Sequence, residues 1–362
     1  MEINRELLLT WLSLLPRNKM IKRVLAEFPN RLKLLWEMNS DELNSLKNIN
    51  LKFYQGVVNG EIRENAIMAY NQLISKKIEV IGIDNIKYPE MLKETEDAPA
   101  VLFYKGDIEK CRKCISVIGS RKATAYGLKA AQDVARDLAS KGACIVSGMA
   151  RGIDSRAHIG ALAAGGITCA VIGCGIDVVY PAENKNLMEE IMEKGVVISE
   201  FAPGTAPLAQ NFPARNRIIS GLSFAVVVVE AGKESGTLIT VDFALEQGRD
   251  VFAVPGNIYS DKSEGTNNLI REGARIVTAF SDIINEYEFL NKGDEIYDNG
   301  NFTIKDKTVK YIIEAIKSGC FDIDETINDF GCSVKDINAL LMKMQIDGII
   351  DRNIDGEYYI KL

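Results

Sequence analysis

The sequence predicts an α/β protein with a doubly wound, mostly parallel sheet, flanked by an N-terminal all-α module and a C-terminal winged helix. Residues 76–286 alternate short apolar runs with longer helical stretches. The run 225–229 is apolar throughout, which suits a strand buried on both faces, as parallel sheets require. Alternating strands and helices then favour parallel strands joined by right-handed crossovers.

Each part of this architecture has its own signal. Residues 1–75 form the predicted helical module (sterile-alpha-motif-like or helix-hairpin-helix-like), because Leu7, Leu8, Trp11 and Leu14 recur at helical spacing. The predicted core strands are 115–118, 144–147, 168–172, 196–199, 225–229 and 251–254.

The C-terminal part contains a polar segment and a second periodic region. Residues 287–304 are polar and contain glycine, which indicates a linker. Residues 305–362 read as helices followed by a two-stranded hairpin, which predicts a winged helix. From residue 291 onward, nine Lys/Arg stand against fourteen Asp/Glu, a net charge of −5. Since a wing that reads DNA should be basic, protein contact is the favoured role.

Composition limits the function classes. The chain has 362 residues, of which 47% are apolar and 26% charged, as in ordinary globular proteins. It contains no apolar run near the ~18 residues of a membrane span and no secretory pattern, so we expect a cytoplasmic protein. The net charge of −7 opposes bulk attraction to nucleic acid, so any DNA binding needs a local basic cluster.

Seven cysteines, an odd number, indicate reduced thiols rather than a disulfide framework. Cys111 and Cys114 have CxxC spacing, which suits zinc or redox chemistry. With no second CxxC and a single histidine, a structural zinc site is not expected, and the pair is interpreted as the entrance to a strand. No metal or cofactor is predicted.

The first candidate site follows the first core strand. Gly119 permits a tight turn, Ser120 offers a hydroxyl, and Arg121 can grip a phosphate beside the N–H groups of the next helix. The alternative is an ordinary strand-to-helix turn. Ligands of open α/β sheets bind at this end of the strands.

Two further glycine-containing turns follow later strands. Ser147-Gly148 leads through Arg151 to Asp154, which can cap a helix or pair with His158 four residues later. A histidine bonded to a carboxylate is more often structural than catalytic. Gly173, followed by Tyr180-Pro181, fits a close backbone approach to a ligand or to a neighbouring element.

The segment around Phe212 combines an aromatic ring with arginines. Arg215, Asn216 and Arg217 follow it, so guanidinium groups could neutralise phosphates while the ring stacks on a base. In the alternative interpretation, the arginines pair with carboxylates at the ends of strands, such as Glu200 and Glu230.

A last turn precedes another helix. Lys233 is followed by Ser235, Gly236 and Thr237, which together predict a helix N-terminus that can bind a phosphate. Further on, Pro255-Gly256 serves a turn, and Asn267 is a candidate polar residue at the rim.

Taken in order, these motifs resemble the bacterial DNA-processing protein A (DprA/Smf) family over residues 115–280. The matching runs are Gly-Ser-Arg, Ser-Gly-x-Ala-x-Gly-Ile-Asp, Ala-Val-Ile-Gly-x-Gly-Ile-Asp-x-x-Tyr-Pro, Arg-Asn-Arg-Ile-Ile-Ser-Gly-Leu-Ser and Ser-Gly-Thr-Leu-Ile-Thr. Each motif alone is modest, but their order makes the match specific.

The resemblance implies a Rossmann-like core that binds single-stranded DNA, forms a homodimer and is not an enzyme. It also implies a partnership with the RecA recombinase, which such a protein helps to load onto incoming DNA in natural transformation. In the pattern of the family a basic residue directly precedes Ser-Gly. Here Glu234 stands there, with Lys233 one position earlier, so the contribution of Lys233 to phosphate binding is left open.

Two enzyme classes are the alternatives. A nucleotide phosphoribohydrolase of the lysine-decarboxylase-like (LOG) family should have Pro-Gly-Gly-x-Gly-Thr-x-x-Glu, but Thr240 stands where its catalytic glutamate is expected. A dinucleotide oxidoreductase needs Gly-x-Gly-x-x-Gly after the first core strand, and the sequence from Ile118 lacks that glycine set.

Overall fold

The structure is a computed structural model that describes residues 3–15, 18–27, 32–39, 57, 59–287 and 290, with isolated positions between 297 and 360. The chain divides into two compact units, Met1–Gly293 and Asp294–Leu362.

Helices and strands alternate through most of the first unit. Its described helices are α1 (Arg5–Ser13), α2 (Asn18–Glu27), α3 (Leu32–Glu37), α4 (Gly60–Lys76), α5 (Glu90–Lys93), α6 (Ala125–Ser140), α7 (Ile153–Ala163), α8 (Lys185–Lys194), α9 (Asn211–Gly221), α10 (Gly236–Glu246), α11 (Glu264–Arg271) and α12 (Ser281–Ile284). Its described strands are β1 (Glu79–Gly82), β2 (Val101–Gly106), β3 (Cys114–Ile118), β4 (Cys144–Ser147), β5 (Thr168–Ile172), β6 (Val196–Ser199), β7 (Ala225–Val228), β8 (Asp250–Ala253) and β9 (Arg275–Ile276).

The described strands of this unit form one nine-stranded sheet in the order β1-β2-β6-β5-β4-β3-β7-β8-β9. Strands β3 to β9 pair in parallel, whereas β1 pairs antiparallel with β2 and β2 pairs antiparallel with β6. The chain moves outward from β3 to β6 and then returns to β7 on the other side of β3. The strand order therefore reverses between β3 and β7, where open α/β sheets bind ligands.

Apolar strands explain why the sheet is covered on both faces. All residues of β7 are buried, as the uninterrupted valine run predicts. One face packs against α9 and α10, and the other packs against α6 and α7. The predicted α/β fold with a mostly parallel central sheet is therefore confirmed. Strands β1 and β2 at one side of the sheet and β9 at the other were not among the predicted strands.

The N-terminal helices share a hydrophobic core with the sheet. Leu8, Trp11 and Leu12 of α1 belong to the same buried cluster as Phe103 of β2 and Ile172 of β5. The helices before residue 76 thus lie in one compact unit with the sheet, and their assignment as a separate module stays a prediction.

In the second unit, Ile350–Arg352 (β12) pairs antiparallel with Tyr358–Ile360 (β13), at the place where the sequence indicates a hairpin. Within the predicted linker, Tyr297–Asp298 (β10) pairs with Asn301–Phe302 (β11). The helices predicted between these pairs fall largely outside the described residues, so the winged helix stays a prediction. In the described part of the chain, no helix has the length and apolarity needed to cross a bilayer.

Candidate nucleic-acid interface

A cavity of about 600 Å³ opens at the carboxyl ends of β3 and β7, where the strand order reverses. It is lined by side chains and turns that follow several strands. Among the lining residues are Gly119, Ser120, Arg121, Lys122, Asp154, Tyr180, Phe212, Arg215, Asn216, Ser235, Gly236, Thr237 and Lys262. Residues from all five motifs singled out in the sequence therefore meet at one place. The third motif contributes Tyr180, and its Gly173 lies against Phe212.

The charge of this cavity differs from that of the whole chain. Its lining includes four cationic side chains (Arg121, Lys122, Arg215 and Lys262) and one carboxylate, Asp154. The protein as a whole has a net charge of −7. Because screening limits exposed charges to about 10 Å at 0.1 M salt, the local excess of cations is what an anion meets at this edge of the sheet.

Arg121 and two aromatic rings form a stack at the mouth. The guanidinium carbon of Arg121 lies 5.4 Å from the centroid of the Phe212 ring, within the range of a cation–π interaction. Tyr180 lies on Phe212 with ring centroids 5.3 Å apart. A Cβ at Gly173 would come within 3.0 Å of the Phe212 ring, so that glycine permits the close approach of a neighbouring element.

The turn after β3 is shaped by packing. A Cβ at Gly119 would lie 2.6 Å from Ile153 Cγ1, so the residue has no room for a side chain. Ser120 donates its backbone N–H to the carbonyl of Glu230 at 2.8 Å, and its Oγ accepts from Lys122 N at 3.2 Å. These bonds fix the direction in which Arg121 leaves the turn.

The start of α6 is closed by the protein's own carboxylate. Glu230 is 2% exposed and accepts hydrogen bonds from the backbone N–H and the hydroxyl of Thr124, the N-cap of α6. The expectation that this helix start offers free N–H groups to a phosphate is therefore wrong, because Glu230 already occupies it.

The start of α10 lies open to the cavity. Ser235 is its N-cap and accepts from Thr237 N at 3.2 Å. Gly236 has no atom within 4 Å of an ideal Cβ, so nothing in the described chain covers this turn. Lys233 points elsewhere, since it lies 3.9 Å from the carboxylate of Glu264 and does not line the cavity.

Arg215 forms the buried side of the cavity. It is 3% exposed and donates hydrogen bonds to the carbonyl oxygens of Gly148, at 2.9 Å, and Val171. Burial lowers the pKa of Arg215 to about 10, and the nearby carboxylate of Asp154 acts in the opposite direction. Gly148 has no side chain because the Arg215 guanidinium would lie 2.6 Å from its Cβ.

The neighbours of Arg215 are buried and satisfied by the scaffold. Asp154 accepts from Ala150 N at 3.4 Å, and burial raises its pKa although Arg215 opposes the shift. Ser147 donates its hydroxyl to the carbonyl of Val117 at 2.7 Å. Both side chains hold the turn after β4 in place.

His158 does not pair with Asp154. Its Nδ1 lies 2.6 Å from Thr168 Oγ1, and burial lowers its pKa to about 3. The ring is therefore neutral at ordinary pH. The predicted Asp154–His158 contact is wrong, because Thr168 of β5 is the nearer partner once the helix lies on the sheet.

The comparisons with known proteins agree with this geometry. The model of a protein family described as DNA recombination-mediator protein A matches residues 79–288, more than half of the chain. The chain belongs to this family. It is 48% identical over 203 residues to the DNA processing protein DprA of Streptococcus pneumoniae, covering 56% of this chain and 72% of the relative.

Two solved structures of the family are similar. The DNA processing protein A of Streptococcus pneumoniae gives a TM-score of 0.66 at 38% identity, over 79% of this chain and 99% of that one. The Helicobacter pylori protein, described with a single-stranded DNA binding mode, gives 0.53 at 30% identity, over 58% of this chain and 95% of that one.

In this member of the DNA recombination-mediator protein A family, the other two arginines of the predicted site, Arg151 and Arg217, already form ion pairs with carboxylates. Arg217 is 13% exposed on its side chain and pairs with Glu200 at 2.6 Å and with Asp97 at 3.2 Å. It thus follows the alternative interpretation, in which carboxylates at the sheet end take up its charge. Two guanidinium nitrogens of Arg151 donate hydrogen bonds to the two carboxylate oxygens of Glu183.

Some lining residues of this family member had no role in the sequence prediction. Lys122 follows Arg121 directly, and its position in the first motif is a signal that could have identified it. Tyr180 was noted only for its turn. Lys262 lies in a loop after β8 with no motif of its own, so only the tertiary structure places it at the cavity.

The cysteines show a similar effect of the fold. Cys114 and Cys144 begin neighbouring strands as Cα partners, and both are buried in one hydrophobic cluster with Cys111 and Cys169. The CxxC pair therefore has cysteine neighbours that the sequence spacing did not reveal. Within the described residues, no group of three or more His, Cys, Asp or Glu could hold a metal ion.

Proposed function

We propose that the protein binds single-stranded DNA in the cavity between β3 and β7, and that it acts as a recombination mediator rather than as an enzyme. The observation that carries this proposal is the excess of cations, with an aromatic stack beside them, in a chain of net charge −7. An unpaired strand needs both features: cations for its phosphates and exposed ring faces for its bases.

The proposed contacts divide by chemistry. Arg121, Lys122 and Lys262 would neutralise phosphates. At the start of α10 the N–H of Gly236 would donate to one of them, since Ser235 N donates to Gly232 O and Thr237 N donates to Ser235 Oγ. Phe212, which lies near both Arg121 and Tyr180, would support a base. The strand order reverses here, so turns that follow different strands converge on the cavity.

Arg215 and Asp154 would act beneath the strand. Their side chains hold the turn at Gly148, and the buried positive charge adds to the potential of the cavity. Gly119, Ser147 and Thr237 would shape the walls. In this proposal Arg151, Arg217 and Lys233 stabilise the surroundings, because each has a carboxylate partner.

The wider role follows from the family. The relative from Streptococcus pneumoniae is a DNA processing protein, and the one from Helicobacter pylori is described with a single-stranded DNA binding mode. We extend this to loading of the RecA recombinase on incoming DNA in natural transformation, by a homodimer whose C-terminal winged helix contacts protein. The ATPase activity of RecA on strands covered by single-strand-binding protein would rise when this protein is added, if the extension is right.

The binding proposal is tested by fluorescence anisotropy with labelled oligo-dT and with a duplex of equal length at one salt concentration. We expect tighter binding of the single strand, and loss of it in a Lys122→Ala, Lys262→Ala double variant. A Lys141→Ala, Lys185→Ala variant is the matched control, because it removes the same charge outside the cavity. Equal weakening by both pairs would place the DNA elsewhere.

A further inference from the structure

A second cavity lies beside the first at the same edge of the sheet. It has a volume of about 490 Å³ and opens after β7 and β8, one strand farther along. Its lining consists of Thr124, Tyr126, Glu230, Pro255, Gly256, Asn257, Ser260 and Ser263. None of the motifs that predicted the first cavity assigns a function to this one.

The ring of Tyr126 is held at this cavity by the scaffold. Its hydroxyl donates to the carbonyl oxygen of Pro255 at 2.9 Å, and the residue is 54% exposed. One end of the ring is anchored by α6 and the other by the turn after β8. An aromatic face that is fixed before binding loses little side-chain entropy when a base stacks on it.

The loop opposite Tyr126 is equally well defined. Asn267 accepts from Gly256 N and donates to Gly256 O, both at 3.1 Å, so the turn is held from two sides. A Cβ at Gly256 would lie 2.1 Å from Ser263 Oγ, which leaves room only for glycine. The side chain of Asn267, expected at the rim, therefore shapes the cavity wall.

The charges differ between the two cavities. No cation lines the second cavity, and its one charged residue is the carboxylate of Glu230, which is 2% exposed. A phosphate would meet this carboxylate unfavourably, whereas a neutral base would not. Lys122 and Lys262 stand close in sequence to Thr124 and Ser263, so cations border the second cavity on the side of the first.

We propose that the second cavity is a nucleobase subsite that continues the path of the single strand beyond Lys122 and Lys262. The proposal rests on the proposed function, because the phosphates of that strand would cross the cationic border while a base enters and stacks on Tyr126. Hydroxyl and amide groups of Ser260 and Asn257 would meet the edge of the base. A strand too short to cross the border would leave this subsite empty.

The test compares two lengths of oligo-dT, of about 4 and about 12 nucleotides, in fluorescence anisotropy titrations of the full chain. Tyr126→Ala should weaken binding of the longer strand about fivefold or more, the lower end of one lost base stack, and leave the shorter strand unchanged. Tyr126→Phe keeps the ring and should retain most of the affinity. Urea unfolding of each variant shows whether the fold survives.

Tyr259→Ala is the matched control. This tyrosine lies between Asn257 and Ser260 in the loop after β8 and is 90% exposed, but it does not line the cavity. The subsite is overturned if Tyr126→Ala leaves the longer strand unaffected, if it weakens both lengths equally, or if Tyr259→Ala has the same effect. Failure of the wild-type chain to bind either length overturns the proposed function itself, which distinguishes the two failures.

Discussion

The first cavity has two walls of different character. The outer wall, formed by Arg121, Lys122 and Lys262, is exposed or half-buried, and within the described residues these side chains form no ion pair. The inner wall, formed by Asp154 and Arg215, is buried and bonded to the scaffold. The sequence motifs assigned Arg121 of the outer wall and Arg215 of the inner wall the same role in phosphate binding. The difference teaches that a cation contributes to binding only where the fold leaves its charge unused.

The largest expected effect is a loss of stability caused by a substitution in the inner wall. Arg215→Ala removes a buried guanidinium with two carbonyl partners. A hydrogen bond to a charged group contributes about 1.5–3 kcal/mol, so the free energy of unfolding should fall by about 3 kcal/mol. Urea unfolding followed by circular dichroism measures this loss.

Arg136→Ala is the control for this prediction. Arg136 is an exposed arginine of α6 that pairs with Asp133 and Asp137. Exposed pairs contribute little, so the free energy of unfolding should change by less than about 1 kcal/mol. Equal losses in the two variants would break the distinction between the walls.

Phe212 should have the next largest effect, on affinity. Phe212→Ala removes a ring that contacts both Arg121 and Tyr180, so binding of oligo-dT should weaken by about 1–3 kcal/mol. No phosphate contact is removed, and the slope of log affinity against log salt concentration should stay the same. A clearly smaller slope would show that Phe212 acts by positioning Arg121 rather than by stacking.

The next prediction compares Arg121 with Arg217 by the salt dependence of single-strand binding. Arg121→Ala should lower the salt slope for a single strand by about 0.7, because one phosphate contact is lost. Arg217→Ala removes the same charge, but Glu200 and Asp97 hold that side chain. Its salt slope should match the wild type. Anisotropy titrations between low and moderate salt decide this, and equal slopes in both variants would refute the assignment of the outer wall.

The smallest expected effect is the pH dependence of stability that comes from the buried side chain of His158. The unfolded chain protonates His158 near pH 6.5, whereas burial lowers the folded pKa to about 3. The folded state takes up this proton less readily, so the contribution to stability is complete above pH 6.5 and is lost as pH falls towards 3. Between pH 7 and 5.5 the loss should be about 1 kcal/mol.

Because His158 is the only histidine, His158→Gln isolates this contribution. Urea unfolding at pH 7 and pH 5.5 should show a smaller pH effect in the variant than in the wild type. An unchanged pH effect would mean that other titratable groups account for the whole dependence. Asp154 is not among them, because burial raises its pKa and its contribution to stability therefore grows as pH falls.

The fold was the most predictable part of the molecule. Apolar runs such as that of β7 are buried on both faces, and their length and glycine ends identify the six parallel strands of the interior. The edge strands β1 and β9 were not predicted because they are short and partly exposed, so they lack a continuous apolar run. Their pairing depends on neighbours distant in sequence.

The location of the candidate site was predictable from the sequence, but the ion-pair partners of its side chains were not. Parallel strands bring their carboxyl ends to one edge, so turns at Gly119, Gly148 and Gly236 had to come together there. Which arginine keeps its charge free depends on residues far along the chain. Glu200 and Asp97 reach Arg217, and only the packing of α9 against the sheet brings them near.

The sequence by itself determined the alternating architecture, the edge of the sheet at which the candidate site lies, and the family. Local periodicity and turn chemistry suffice for these, since they act between residues close in the chain. The tertiary structure alone decided that Glu230 closes the start of α6 while the start of α10 stays open, and that Lys262 joins Arg121. Electrostatic pairing depends on distance in space, and folding sets that distance between residues that are far apart along the chain.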